Sequence, residues 1–144
     1  MARISIELPT EFKFSTNIPV RITDLNYGGH VGNDTVLSLI HEARMQFLHS
    51  FGYSEKDLGG VGMIMGDVTI VFKNELFYGD VIIAEVTVTE MSRASFDIIY
   101  KLRKEKDGKL IDVAHAKTGM VCFDYEKRRP TSIPEEVIIK WSSI

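Results

Sequence analysis

Only one stretch of this chain carries a sustained helical period, and almost everything beyond it reads as strands. Val36, Leu37, Ile40, Ala43, Phe47 and Leu48 recur at helical spacing and form one broad apolar face that ends near Phe51. Past residue 62 the period shortens to two, with strands expected over 63–72, 81–89, 95–103 and 110–124. An earlier strand is expected within 12–22, where Phe14, Thr16, Ile18, Val20 and Ile22 share one parity and Pro19 requires an edge or a bulge. One long helix and several strands bury their apolar faces best against each other. The fold class is therefore α+β, a helix laid on a curved antiparallel sheet.

Local signals sharpen this outline. Lys106-Asp107-Gly108-Lys109 is a hairpin turn, because Asp-Gly tolerates the positive φ angles such turns need. In 95–103, Phe96, Ile98, Tyr100 and Leu102 alternate with Asp97, Ile99, Lys101 and Arg103, giving one buried and one largely wet face. Ala114, Ala116, Thr118, Met120 and Cys122 share a parity, and the small residues among them leave room for the helix to approach. The outer parity still carries Ile99, Ile111, Val113 and Val121, and one helix cannot cover both faces; another subunit should cover part of it. Residues 53–62 read as a connecting loop that is loosest at Gly59-Gly60, and the tail as a short helical turn over 135–141. Pro9 discourages regular structure in the first dozen residues.

Composition excludes several classes. With 144 residues, no linker and no repeat, a single domain over 1–144 is expected. Its 44% hydrophobic and 26% charged residues are those of a soluble globular protein. No apolar run is long enough to span a bilayer, so no membrane partner is expected. Met1-Ala2-Arg3-Ile4-Ser5 lacks an apolar targeting core, and the single Cys122 fits a reducing cytoplasm. A net charge of −3 gives no reason to expect nucleic acid, and no Cys/His cluster has metal-site spacing.

The chemistry concentrates just ahead of the helix, in Thr23-Asp24-Leu25-Asn26-Tyr27-Gly28-Gly29-His30-Val31-Gly32-Asn33. Asn33 or Asp34 can cap the helix, and Gly52 follows its last turn. A glycine-rich loop entering a helix aims backbone N–H groups and the positive end of the helix dipole at one point. Here it also brings a carboxylate, an imidazole and two carboxamides near that point. Such a site suits a carbonyl oxygen that gains negative charge during acyl transfer.

These residues resemble the hotdog-fold thioesterases, in the branch of 4-hydroxybenzoyl-CoA thioesterase-like and acyl-CoA thioesterase-like proteins. The likeness rests on Val20 through Asn33, then on Ile40-His41-Glu42-Ala43-Arg44, and the order of elements continues it through Asp124. It implies a long central helix wrapped by a five- or six-stranded antiparallel sheet. It also implies homodimers joined edge to edge, often paired into tetramers, with sites between subunits. Activity would be hydrolysis of an acyl-CoA or acyl-carrier-protein thioester, with CoA as part of the substrate and no cofactor. One departure stands out: the branch carries an Asp at the second acidic position of Asp-x-Asp, where this chain has Asn26. An amide can neither accept a proton as a carboxylate does nor serve as an anhydride nucleophile, though it can hold water or substrate.

The candidates therefore keep alternatives. Asp24 is either a turn-forming Asp or a base replacing the one lost at Asn26. Asn26 belongs to the site by its position or serves turn geometry. His30 is a general base or a donor that fixes the loop. Gly28, Gly29 and Gly32 permit close ligand approach, and their N–H groups, with that of Asn33, are candidates to polarise the thioester carbonyl. Glu42, on the helix, is a substitute carboxylate or an ion-pair partner. Lys127, Arg128 and Arg129 meet the phosphates of CoA or form a solvated turn, with Lys73 and Arg93 as weaker candidates. Arg21 and Arg44 read as structural, His41, His49 and His115 as surface or core, and Cys122 as an inert thiol. Two rival activities follow: a non-catalytic binder of acyl-CoA or acyl-carrier protein, which Asn26 favours, and dehydration of a 3-hydroxyacyl thioester, whose usual helix motif is missing here.

Overall fold

The computed structural model describes residues 3–143; Met1 and Ala2, part of the stretch read as lacking a targeting core, lie outside the described residues. Strand β1 (Phe14–Pro19) leads through a 3-10 turn (Ile22–Asp24) and the glycine loop into helix α1 (Asn33–Ser50). Strands β2 (Gly62–Phe72), β3 (Val81–Thr89), β4 (Ser95–Lys106) and β5 (Lys109–Asp124) follow, then the two-residue β6 (Arg129–Pro130) and helix α2 (Glu135–Trp141). All pairings are antiparallel, in the order β1-β3-β4-β5-β2, with β6 added to β5. A long helix wrapped by this sheet is the hotdog fold.

Helix α1 is held by its apolar face. Val36, Leu39, Ile40, Ala43, Phe47 and Leu48 are buried on the sheet, whereas Leu37 is exposed, so the face is turned slightly from the expected one. Phe47 meets Phe14, Phe51 and Trp141 with ring centroids 5.3–5.9 Å apart. Truncating such a buried aromatic to Ala costs about 3–5 kcal/mol. Opposite the helix, Ala114, Ala116, Thr118, Met120 and Cys122 are fully buried. Arg44 joins the buried face because its charge is partnered: Nη1 donates to the Tyr100 hydroxyl at 3.2 Å and Nε to Glu55 Oε1 at 3.4 Å. Tyr100 and Thr118 share a further hydrogen bond of 2.7 Å, and burial pushes the Tyr100 phenol above its ordinary pKa against the pull of Arg44.

Turns follow their residue types. Asp107 (φ 53°) and Gly108 (φ 80°) give the β4–β5 hairpin the two positive φ angles of a type I′ turn. Pro19 ends β1, which is an edge strand. Two expectations change. Val113 is buried because a bulge between Leu102 and Arg103 of β4 leaves it unpaired in the ladder and turns it off the outer parity. Ile99 is already buried within the single chain, beside the N-terminal residues 4–9 that border the same outer sheet face. Under that segment a cavity of about 480 Å³ is also bordered by Asp97 and Lys117, and Lys117 pairs with Asp67 at 2.9 Å. Among the described residues, the second edge strand, β2, has no neighbour on its open side.

Candidate active site

Both ends of the segment between β1 and α1 are tied to the β2–β3 connection. The Val20 N–H donates to the Asp80 carbonyl and the Val31 N–H to the Leu76 carbonyl, each at 2.9 Å. Between these anchors the loop folds on itself. Leu25 bridges Val31, and the Asn26 N–H donates to the His30 carbonyl at 2.9 Å. Gly29 has a φ of 85°, a left-handed value that glycine adopts without a side-chain penalty.

This folding sets the roles of the Asn26 carboxamide. Its Oδ1 accepts the Gly28 N–H at 2.9 Å, so the NH₂ end is left to donate. A Cβ on Gly32 would stand 3.5 Å from that Nδ2, which places the amide beside the start of α1. The helix N-cap is Gly32 rather than Asn33 or Asp34, and no side chain caps it. Thr35 and Val36 donate to the Gly32 carbonyl, so among the described residues it is the Asn33 and Asp34 N–H groups that are left for an outside acceptor.

His30 stands next to this amide. A Cβ on Gly28 would lie 3.2 Å from Asn26 Oδ1 and 3.6 Å from His30 Nε2, so both side chains converge on glycine. His30 Nδ1 is 3.2 Å from the Val31 carbonyl, which can only accept. In the neutral ring this favours the proton on Nδ1 and leaves Nε2 with a free lone pair. His30 and Asn33 also border a cavity of about 210 Å³ walled by Phe72, Lys73, Leu76 and Val113.

The other candidates divide from this group. Asp24 is buried, and its carboxylate accepts the Arg21 N–H at 2.8 Å and the Arg21 guanidinium at 3.4 Å, the geometry of a turn-forming Asp. It borders a separate cavity of about 310 Å³, on the β1 side of α1, together with Glu42. Glu42 is exposed and accepts Gln46 Nε2 at 2.8 Å, and Gln46 in turn accepts the Thr16 hydroxyl. Lys127, Arg128 and Arg129 sit at the far end of β5. From Val113 to Asp124 that strand covers roughly 35 Å, so within one chain the basic turn does not reach His30. Arg93 also lies at that end, bonded to Ser132 at 3.0 Å. Lys73, in contrast, borders the His30 cavity.

A profile of the thioesterase-like superfamily matches residues 20–140. The chain belongs to that superfamily. It is 31% identical over 121 residues to a 1,4-dihydroxy-2-naphthoyl-CoA hydrolase of Microcystis aeruginosa, covering 82% of this chain and 85% of the relative. A 1,4-dihydroxy-2-naphthoyl-CoA hydrolase of Nostoc punctiforme is 27% identical over 131 residues, covering 89% and 85%. Among solved structures, a 1,4-dihydroxy-2-naphthoyl-CoA thioesterase from Synechocystis superposes with a TM-score of 0.79. It is 22% identical and covers 91% of this chain and 96% of the other.

In this thioesterase-like chain the β2–β3 connection contributes more to the site than Lys73, its one sequence-predicted candidate. Phe72, Leu76 and Asp80 wall the His30 cavity or anchor the loop, yet nothing local in 72–80 marks them, because their partners are distant in sequence. Of the three other histidines, His41 bonds Glu55 at 2.6 Å and His115 bonds Asp112 at 2.7 Å, while His49 is exposed in the last turn of α1. Cys122 is buried, and burial pushes its thiol up to about 11. Among the described residues no group of three or more His, Cys, Asp or Glu converges as a metal site, and no helix is long and apolar enough to cross a membrane.

Proposed function

We propose that this chain hydrolyses an acyl-CoA thioester to a free acid and CoA, with Asn26, His30 and the start of α1 as the reacting site. The observation that carries this reading is the convergence of the Asn26 carboxamide and His30 Nε2 on Gly28, beside an uncapped helix N-terminus. The thioester carbonyl oxygen takes hydrogen bonds from Asn26 Nδ2 and from the N–H groups of Gly32 and Asn33. Water attacks the carbonyl carbon while His30 Nε2 accepts its proton. The oxyanion then collapses, the C–S bond breaks, and the imidazolium returns the proton to the departing sulfur. Base catalysis of this kind contributes about 10²–10⁴-fold. Donors fixed on a developing oxyanion are each worth about 10²–10³ in rate. The proposed steps assign no role to Asp24 or Glu42, which border a different cavity of the chain.

The site is shared between two copies of the chain. Met65, Val68 and Phe72 pair with Met120, Thr118 and Ala114, which face the helix, yet stay exposed because α1 stops short of the β2 edge. An apolar stripe along an eleven-residue strand at the sheet edge is a surface for a second copy. Antiparallel pairing of two β2 strands sets the Gly62 end of one against the Phe72 end of the other. Tyr125 packs over Gly62, so the partner's Lys127, Arg128 and Arg129 arrive near Lys73 and the His30 cavity. There they meet the CoA phosphates.

The test is thiol release from short, long and aromatic acyl-CoAs, beside the same acyl groups on a carrier protein. The 1,4-dihydroxy-2-naphthoyl-CoA relatives make fused aromatic acyl-CoAs a necessary part of that panel. A second reading, a protein that binds CoA esters without cleaving them, is favoured by the missing carboxylate at Asn26. Saturable binding with no thiol released identifies it.

A further inference from the structure

Lys104 lies on β4 and is only 5% exposed, although its ammonium is charged. A buried ammonium is costly unless paired and hydrogen-bonded, and here Nζ donates to the Glu75 carbonyl at 2.7 Å and to Asp80 Oδ2 at 2.9 Å. It also sits 5.1 Å from the centroid of the Phe77 ring. The Asp80 carboxylate in turn accepts the Phe77 N–H at 2.8 Å. One cation thus clamps the connection at Glu75, Phe77 and Asp80. That same connection supplies the Leu76 and Asp80 carbonyls from which Val31 and Val20 hang.

We infer that Lys104 is a positioning residue: by clamping 75–80 it holds both ends of the loop that carries Asn26 and His30. The inference rests on the proposed hydrolysis for its kinetic consequence, but its structural consequence stands without it. Lys104 touches neither Asn26 nor His30, so its effect is transmitted through two backbone hydrogen bonds. Small misplacements from changes remote from the chemistry can cost about 10²-fold in rate.

The test compares Lys104→Met, which keeps the stem and deletes the ammonium, with Asp80→Asn, which keeps an acceptor for both donors. Tyr100→Phe, in the sheet interior, serves as a control for general destabilisation. Amide exchange at Val20 and Val31, and kcat and KM for thiol release, are read for each. For Lys104→Met we expect exchange at both amides to rise about tenfold or more above the Tyr100→Phe level. We expect kcat to fall about 10- to 100-fold with little change in KM, and Asp80→Asn to lie between this variant and the native chain. Native-like exchange at Val20 and Val31 overturns the inference, as does a kcat loss that Tyr100→Phe reproduces. If the native chain releases no thiol from any acyl-CoA, the proposed hydrolysis fails and the two amides alone decide the role of Lys104.

Discussion

Asn26 and Gly28 close an Asx turn: the carboxamide oxygen accepts the Gly28 N–H at 2.9 Å and the amide NH₂ is left facing the start of α1. An aspartate here would keep the same turn but exchange the free donor for a second acceptor. Asn26→Asp should therefore fold as the native chain does and lose about 10²–10³ in kcat/KM, the cost of one oxyanion donor. Higher turnover in this variant points instead to chemistry run by a carboxylate.

Gly32 has a φ of −74°, so no backbone strain requires glycine there. A Cβ would press on Asp34 Oδ1 at 2.6 Å, which can swing aside, and stand 3.5 Å from Asn26 Nδ2. Gly32→Ala should leave stability within about 0.5 kcal/mol yet lower kcat/KM by about tenfold or more, because the methyl fills the approach to the helix-start donors. Urea unfolding beside steady-state kinetics separates the two effects. A variant with native kinetics places the substrate carbonyl elsewhere.

What the sequence made legible is what local pattern controls. The residues of β3 and α2, the Asp107-Gly108 turn and the helix over 33–50 come from periodicity and turn chemistry within a few residues. The glycine loop was found for the same reason. Long-range geometry was not legible. Ile22 continues the strand parity but lies exposed in the 3-10 turn, because the chain leaves the sheet after Pro19. Val113 is buried by a bulge that no local pattern in β5 announces. Lys104 reads as one more charge in a polar strand end, since its partners Glu75 and Asp80 lie more than twenty residues away. The split of Asp24 and Glu42 from Asn26 and His30 likewise depends on which side of α1 each faces.

Cys122 is buried, with its thiol held up at about 11 by burial. The native fold keeps this proton while an unfolded chain loses it near 9, so native stability should fall as pH climbs through that window. At pH 8 iodoacetamide should modify the folded protein far more slowly than the urea-unfolded one. Equal rates contradict a closed core at that strand.

Val68 lies in the apolar stripe along the β2 edge. In the proposed two-fold pairing of β2 strands, Val68→Glu places like charges against each other, so the pair should dissociate and thiol release should fall with it. Sedimentation velocity and activity at matched concentrations check this. An active monomer overturns the shared site.

Tyr100 OH joins Arg44 and Thr118 within the core. Tyr100→Phe leaves both partners short of a hydrogen bond and should cost about 1–3 kcal/mol in urea unfolding, with kcat little changed. Unchanged stability indicates that Glu55 alone satisfies the guanidinium.

The most direct test of hydrolysis at the Asn26–His30 site is the rate of thiol release from acyl-CoAs by the native chain and by His30→Gln. The native chain should turn over at least one acyl-CoA of the panel. His30→Gln, folded and assembled as the native chain, should lose about 10²–10⁴ in kcat. Native-like turnover by His30→Gln, or tight binding of CoA esters by the native chain without any thiol release, contradicts it.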